Sequence, residues 1–409
     1  MELNKTNEIS RNEDKKISIS IMMPFLILTV QYLVLIFFHL LGTKNASIVQ
    51  LISKLLVGII YIYALPIVLK RSGKIFINTY LISFVIFAIN YLIFEDNHIY
   101  LKELIFPFFF TCLPSFIYSI SIKDFTVLKK VMKNISFIVL VVGIIIGLLI
   151  FSGRYSIGYY SMSISYYMLL PTIIYIDEMF QTLSLKSLFF TLSSFFIILS
   201  LGSRGAIVCC GVFILLKLIR LKLKPLYKKV ALYLSLITIS ALAYLYFNEI
   251  INFLNINIMK FGIKSRTLTL LLRNDITESS ERNDIYNSVI SEIIKKPFLG
   301  NGLAGDRQIL SGRYSHNIFL EVMINFGVIV GGLLLIWGIY LIVKVLFTKD
   351  IEVYNITIIW ISLGFVHFIV SSSYLTDFRF WIFIGLIGNI YLKKRKKTFN
   401  NKGFQLKVK

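Results

Sequence analysis

The stretch SLFFTLSSFFIILSLGSRGAIVCCGVFILLKLI, residues 187–219, is apolar on both sides of one short interruption. A bilayer is crossed by a helix of about 20 apolar residues. The whole stretch is too long for one crossing, and Arg204 is too costly to leave unpaired at a bilayer centre. LGSRG, residues 201–205, therefore reads as a turn at the membrane surface. The stretch becomes two spans, 187–202 and 205–219, with an arginine between them.

The same reading extends along the chain. Of its 409 residues, 57% are hydrophobic and 16% charged, so apolar runs occupy most of the length. This excludes a soluble multidomain protein and predicts an all-α, polytopic membrane protein. About twelve spans are expected: 21–41, 48–69, 75–94, 103–121, 135–151, 159–176, 187–202, 205–219, 229–247, 317–347, 354–374 and 377–392. Residues 1–20 are polar, and no small-residue cleavage site follows the first apolar run, so no removable leader is expected. Cys112, Cys209 and Cys210 lie inside apolar runs and read as small buried hydrophobes.

The formal net charge of +22 would suggest nucleic acid in a soluble protein. Here its position argues otherwise. KRSGK (70–74), KDFTVLKKVMK (123–133), RLKLKPLYKK (220–229) and KKRKK (393–397) fall on alternate loops, as the positive-inside rule requires. The loop 177–186 is not clearly basic and fits less well. These charges face an anionic inner leaflet, and no nucleic-acid partner is expected. Five divisions follow: a cytoplasmic segment 1–20, spans over 21–247, a large outer loop 248–316, spans over 317–392, and a basic cytoplasmic tail 393–409. The active side is then extracytoplasmic, with both termini inside.

Arg204 and the loop 248–316 share that outer side. The loop carries nine basic and seven acidic residues and is too long for a plain connector. SSERNDIYNSVISEIIKKP (279–297) predicts a helix capped by Ser279 or Ser280, with Ile285, Tyr286, Val289, Ile290, Ile293 and Ile294 as its apolar stripe. Arg282 lies on that stripe and is expected to face the membrane domain; its alternative is an outward pair with Glu278 or Glu281. FLGNGLAGDR (298–307) is a glycine-rich turn whose Gly300 and Gly302 permit positive φ and close approach to a ligand. It lacks the ending of a Walker A loop. In SHNIFLEVMINFGVIVGG (315–332), Ser315 is expected to cap a helix starting at His316. The helix dipole should hold the imidazole neutral and favour a nearby phosphate. Gly327 and Gly331 allow close helix packing.

Each of these residues has a plainer reading. Arg204 can snorkel to lipid headgroups, and His316 can be an ordinary interfacial residue. Lys54, Arg154, His367, Asp377 and Arg379 also fall near the outer side, where anchors and satisfied polar groups are common. Taken together, arginines and a histidine on one outer face fit an anionic, phosphate-bearing substrate. Spacing alone does not choose the chemistry.

GSRGA (202–206), ERNDIY to GNGLAG (281–305) and SHNIFLEVMINFGVIVGG (315–332), in that order, resemble the O-antigen polymerase and ligase superfamily. That group includes Wzy-type polysaccharide polymerases and WaaL-type O-antigen ligases. His316, Asn317 and Gly327 match its His-Asn, nine residues, Gly pattern. Arg204 matches its Ser-Arg-Gly element. Arg282 ahead of Tyr286 matches its loop arginine, with Arg266 ahead of Leu270 as a rival. Ligases often carry Gly-Thr after the His-Asn motif; here Val-Ile-Val-Gly-Gly follows, which favours a polymerase.

The resemblance implies metal-independent, inverting glycosyl transfer with no cofactor, at the outer face of a bacterial plasma membrane. The donor is an oligosaccharide on undecaprenyl diphosphate, with a flippase and a chain-length regulator as further partners. It implies His316 as general base, Arg282 and Arg204 on the leaving diphosphate, and Asn317, Arg266, Gly300, Gly302, Asp377 and Arg379 around the substrate. A flippase or other transporter is the alternative of another class. It should carry repeats and midplane charges; no repeat is visible, and Lys54 alone favours it.

Overall fold

In a computed structural model, the structure describes residues 2–151, 162–182, 184–201, 203–220, 227, 230, 234, 245–260 and 282–407. Every regular element among them is helical. In chain order these are α1 (Glu2–Phe37), α2 (Asn45–Ile93), α3 (His98–Pro107), α4 (Leu113–Ser121), α5 (Phe125–Phe151), α6 (Met162–Thr182), α7 (Leu185–Leu201) and α8 (Arg204–Ile219). They continue with α9 (Phe247–Lys260), α10 (Arg282–Lys295), α11 (Gly305–Ile309), α12 (Ile318–Leu346), α13 (Ile351–Ile361), α14 (His367–Val370) and α15 (Phe378–Lys407).

Among the described residues, six helical stretches are long and apolar enough to cross a membrane: Asn7–Phe37, Asn45–Ile93, Glu95–Ser121, Phe125–Ile150, Ile318–Leu346 and Ile351–Val370. The second contains two of the expected spans, because α2 breaks at Ser72, where φ is −142° and ψ 28°. That break falls inside KRSGK, as the charge pattern suggested. The expected spans 159–176, 187–202, 205–219 and 377–392 overlap α6, α7, α8 and α15, with 159–161 and 202 outside the described residues. Most of 229–247 lies outside the described residues.

The chain divides into two compact units: residues 1–24, 54–132 and 279–409, and residues 25–53 and 133–278. The first unit has a charged end. Asp14, fully enclosed, accepts from Arg71 (2.5 Å) and from the backbone amides of Lys123 (3.0 Å) and Asp124 (3.1 Å). Arg71 also donates to Glu13 (2.8 Å), and Lys393 donates to the carbonyls of Ile122 and Lys123. Thus the early part of α1, the Ser72 break, the turn before α5 and the middle of α15 meet at one end.

The other end lies about 30 Å away, at the far side of the second arm of α2. There Asn97 donates to the carbonyls of Asn301 (2.7 Å) and Leu303 (3.1 Å), and Asn90 accepts from the Leu303 amide (2.7 Å). An apolar core of Phe87, Leu101, Leu104, Phe108, Leu303, Ile318, Val322 and Phe368 lies directly beneath. In the second unit α6 packs on α7 and α8. An enclosed ion pair joins Asp177 to Lys217, at 2.5 Å, and Ile36, Val142, Ile146 and Ile164 form a small core.

Candidate functional site

The glycine-rich turn and the helix after it are one interlocked piece of backbone. α12 is not continuous: Gly327 has φ 75° and ψ 169°, so the helix breaks there. The break frees two backbone groups, and the turn satisfies both. Val328 donates to Pro297 O (2.7 Å), and Asn301 donates to Ile324 O (2.7 Å). A Cβ on Gly300 would meet Gly327 N at 2.5 Å and Ile324 O at 2.6 Å; one on Gly302 would meet the Phe94 ring. The crowding at both glycines comes from this chain's own atoms, and packing alone accounts for them. Gly331 comes within 2.9 Å of Val322 O by the same measure. In an unbroken helix these residues would be about 13 Å apart along the axis, so the chain doubles back at Gly327. The expectation of one straight helix, with Gly327 and Gly331 packing against a neighbour, is corrected accordingly.

The helix start also differs from expectation. Asn317, not Ser315, is the cap: its Oδ1 accepts from Phe319 N (2.9 Å) and Leu320 N (3.4 Å). His316 precedes the helix, in the left-handed region with φ 55°. Ala304, Ser311 and Ser372 are also left-handed, so four of the five such non-glycine residues described belong to this site. An L residue held there stores strain that surrounding contacts must sustain. On one side of His316 stands the Asn317 cap. On the other, the Ser315 amide donates to Asp306 Oδ2 at 2.9 Å.

α10 supplies the arginine. Ile285, Val289 and Ile293 are buried against Leu310, Ile324, Leu320 and Met323. The stripe is narrower than the sequence suggested, since Ile290 and Ile294 are exposed. Its first residue is Arg282, half-buried and on the side of the stripe. Burial first, then the positive charges of Arg282 and Arg313, lower the His316 pKa from 6.5 to about 4. The imidazole is therefore neutral at pH 7, as expected, although burial and arginines replace the helix dipole as the cause. Its Nδ1 is buried without a hydrogen-bond partner among the described residues. The Tyr314 ring lies against it at 4.1 Å.

Beneath this loop lies a charged cluster. Arg307 Nη2 donates to Ser373 Oγ (2.9 Å), while Nη1 lies 3.6 Å from Asp306 and 3.9 Å from Glu321. Ser373 Oγ donates to Glu321 Oε1, and the Tyr374 amide to Oε2 at 3.2 Å. Burial pushes the Asp306 carboxyl above its usual range, opposed by Arg307 and by the backbone amides of Ser315, Arg307 and Asp306 itself. Asp377 and Arg379 form a bidentate pair with each other, at 2.9 and 3.1 Å through Nε, and Ser372 donates to Asp377 at 2.7 Å. Both belong to the electrostatic surroundings of Tyr314, as do Glu321 and Arg307. Arg204 is the first residue of α8 in the second unit, half-buried behind the Ser203 cap. Arg266, Ser279 and Ser280 lie outside the described residues.

Residues 188–336 match the family model described as O-antigen ligase. Over that segment the match supports a likeness to the O-antigen polymerase and ligase superfamily. Comparison with curated proteins and with solved structures gives no match. The apolar helices and the O-antigen ligase match together indicate a bacterial membrane protein. The matched segment contains Arg204, Arg282, Asp306, His316 and Gly327, while Asp377 and Arg379 fall after it.

Sequence reasoning brought Arg282 and His316 together and missed the cluster beneath them. Asp306, Arg307, Glu321 and Ser373 are all buried. One signal was available. Glu321 is a carboxylate inside an apolar run, and such residues are rare and kept for a purpose. Nothing local identifies Asp306 and Arg307, because beyond each other their partners include Ser315, 9 positions from Asp306, and Ser373, 66 positions from Arg307.

Proposed function

We propose that this protein is a bacterial cell-surface polysaccharide polymerase. It joins oligosaccharide repeat units carried on undecaprenyl diphosphate, at the outer face of the plasma membrane. The acceptor is the non-reducing end of a second lipid-linked unit. A flippase supplies the units and a chain-length regulator is a further partner.

The observation that carries this reading is Arg282 within electrostatic reach of a neutral His316, at the end of the unit opposite its basic loops. An acceptor hydroxyl attacks the anomeric carbon and inverts it. The bond from that carbon to the diphosphate oxygen breaks, and the leaving group departs with the bonding electron pair. His316 takes the hydroxyl proton. Arg282 stabilises charge that grows in the transition state, which is where binding accelerates chemistry. Asn317, Asp377 and Arg379 line the substrate side.

The low His316 pKa suits this sequence of events. Without donor, burial first and then two guanidinium groups keep the ring unprotonated. A bound diphosphate neutralises them and raises the basicity of the ring, bringing its pKa towards the operating pH, where a general base works best.

A ligase is the second reading, because the matched family model is described as O-antigen ligase. It shares the chemistry and differs in the acceptor. A strain lacking the protein separates the two, with surface glycan run on a gel beside an analysis of lipid-linked intermediates. Single repeat units with no ladder mean polymerase. Long glycan stranded on undecaprenyl diphosphate means ligase. An unchanged ladder refutes both and favours a transporter.

A further inference from the structure

We propose that Asp306 is a positioning residue for His316, acting through the backbone amide of Ser315. This inference rests on the reading of His316 as the base. His316 occupies a left-handed conformation that a histidine does not prefer, so the loop around it must be fixed from both sides. Asn317 fixes one side as the helix cap. On the other side, the Ser315 amide donates to Asp306 Oδ2, at 2.9 Å.

Asp306 is itself immobilised. It is fully enclosed, its Oδ1 accepts from the Arg307 amide at 3.0 Å, and the Arg307 guanidinium is 3.6 Å away. Arg307 in turn reaches Ser373, which is tied to Glu321 one turn beyond the Asn317 cap. A closed path thus runs from His316 through Ser315, Asp306, Arg307, Ser373 and Glu321 back to the helix that starts beside His316. None of these groups is needed to touch substrate. Together they set the height and rotation of the imidazole against Arg282.

Asp306→Asn tests this. Both Asp306 oxygens accept backbone amides, and an asparagine can present only one oxygen, so one amide then faces an NH2 group. Kinetics of the full-length protein in lipid nanodiscs, with a lipid-linked repeat unit as substrate, should show kcat reduced about 10- to 100-fold, as sub-ångström misplacement of a reacting group gives. Donor binding should stay within about twofold, because Arg282 is untouched, and the acidic limb of the kcat/KM profile should move as the ring shifts relative to Arg282, Arg313 and Tyr314. Gln308→Ala, exposed on α11 beside Arg307 and outside the path, should retain kcat. Wild-type kcat and pH profile in Asp306→Asn, an equal loss in donor binding, or equal damage from Gln308→Ala would overturn the assignment. If Asp306→Asn fails to fold, Asp306→Glu is read in the same way. Failure of both to fold makes Asp306 structural and also overturns it. A wild-type protein that extends no glycan refutes the polymerase reading instead, so the two failures are distinguishable.

Discussion

Gly327→Ala should damage this protein far more than a methyl group normally does. At φ 75° and ψ 169° the backbone is in a region reserved for glycine, and an L side chain held there costs about 1–3 kcal/mol. The new Cβ would lie 2.6 Å from the carbonyl carbon of Phe298 and 2.9 Å from Pro297 O. These are backbone atoms of a short turn, so the turn must retreat. Retreat breaks the bonds from Val328 to Pro297 and from Asn301 to Ile324, each worth about 1 kcal/mol. The total is about 3–5 kcal/mol, or a melting shift of order 10 °C for a unit of this size. A thiol-reactive dye can follow the transition in detergent, because Cys112, Cys209 and Cys210 are buried. Gly332→Ala and Gly338→Ala are matched controls, since nothing lies within 4 Å of a Cβ at either position. They should melt with the wild type. Gly327→Ala melting with its controls would refute the interlocked-backbone argument.

Four further outcomes follow from the same geometry. His316→Ala and Arg282→Ala should abolish glycan extension with the protein still inserted, while Lys54→Ala, exposed on α2, should retain it; a glycan ladder assay in complemented cells decides. Removing the positive charge of Arg313 should raise the His316 pKa, so the acidic limb of kcat/KM should move to higher pH in Arg313→Gln. The folded His316 pKa of about 4 lies below 6.5, so the folded state resists the proton that the unfolded state accepts. Stability should therefore fall between about pH 6.5 and pH 4, and fall less in His316→Gln, as thermal melts across that range will read. Glu321→Ala strips the carboxylate from Ser373 and the Tyr374 amide and leaves Arg307 short of a counter-charge, which should cost about 3–5 kcal/mol, with Glu321→Gln milder in the same melts.

Helix positions were legible in the chain because bilayer length and apolar content constrain them directly. The break at Ser72 was legible too, since lysines and arginine cannot sit mid-membrane. The doubling back at Gly327 was not. A glycine in an apolar run reads equally as a packing site, and the deciding atoms belong to Pro297 and Phe298, some 30 positions earlier. His316 and Arg282 stood out through motif order. Their mutual approach depended on how α10 packs, which its stripe indicated only roughly: two of the six apolar positions face outward. The Asp306, Arg307 and Glu321 cluster was illegible because its bonds are long-range, and Ser315 was a better cap by residue type than the Asn317 that performs the task.

The clasp at Asn97 has a consequence for how the protein is made. Its side chain donates to carbonyls 204 and 206 positions further along, and Asn90 waits for an amide 213 positions away. During synthesis these asparagines are in place long before their partners leave the ribosome. The turn they hold is in turn completed only by Gly327, later still. The site therefore cannot assemble as the chain emerges, segment by segment. It closes in one late step, after most of the helices have entered the bilayer, and a chain stopped before residue 328 would carry every proposed catalytic residue without the joint that sets them in place.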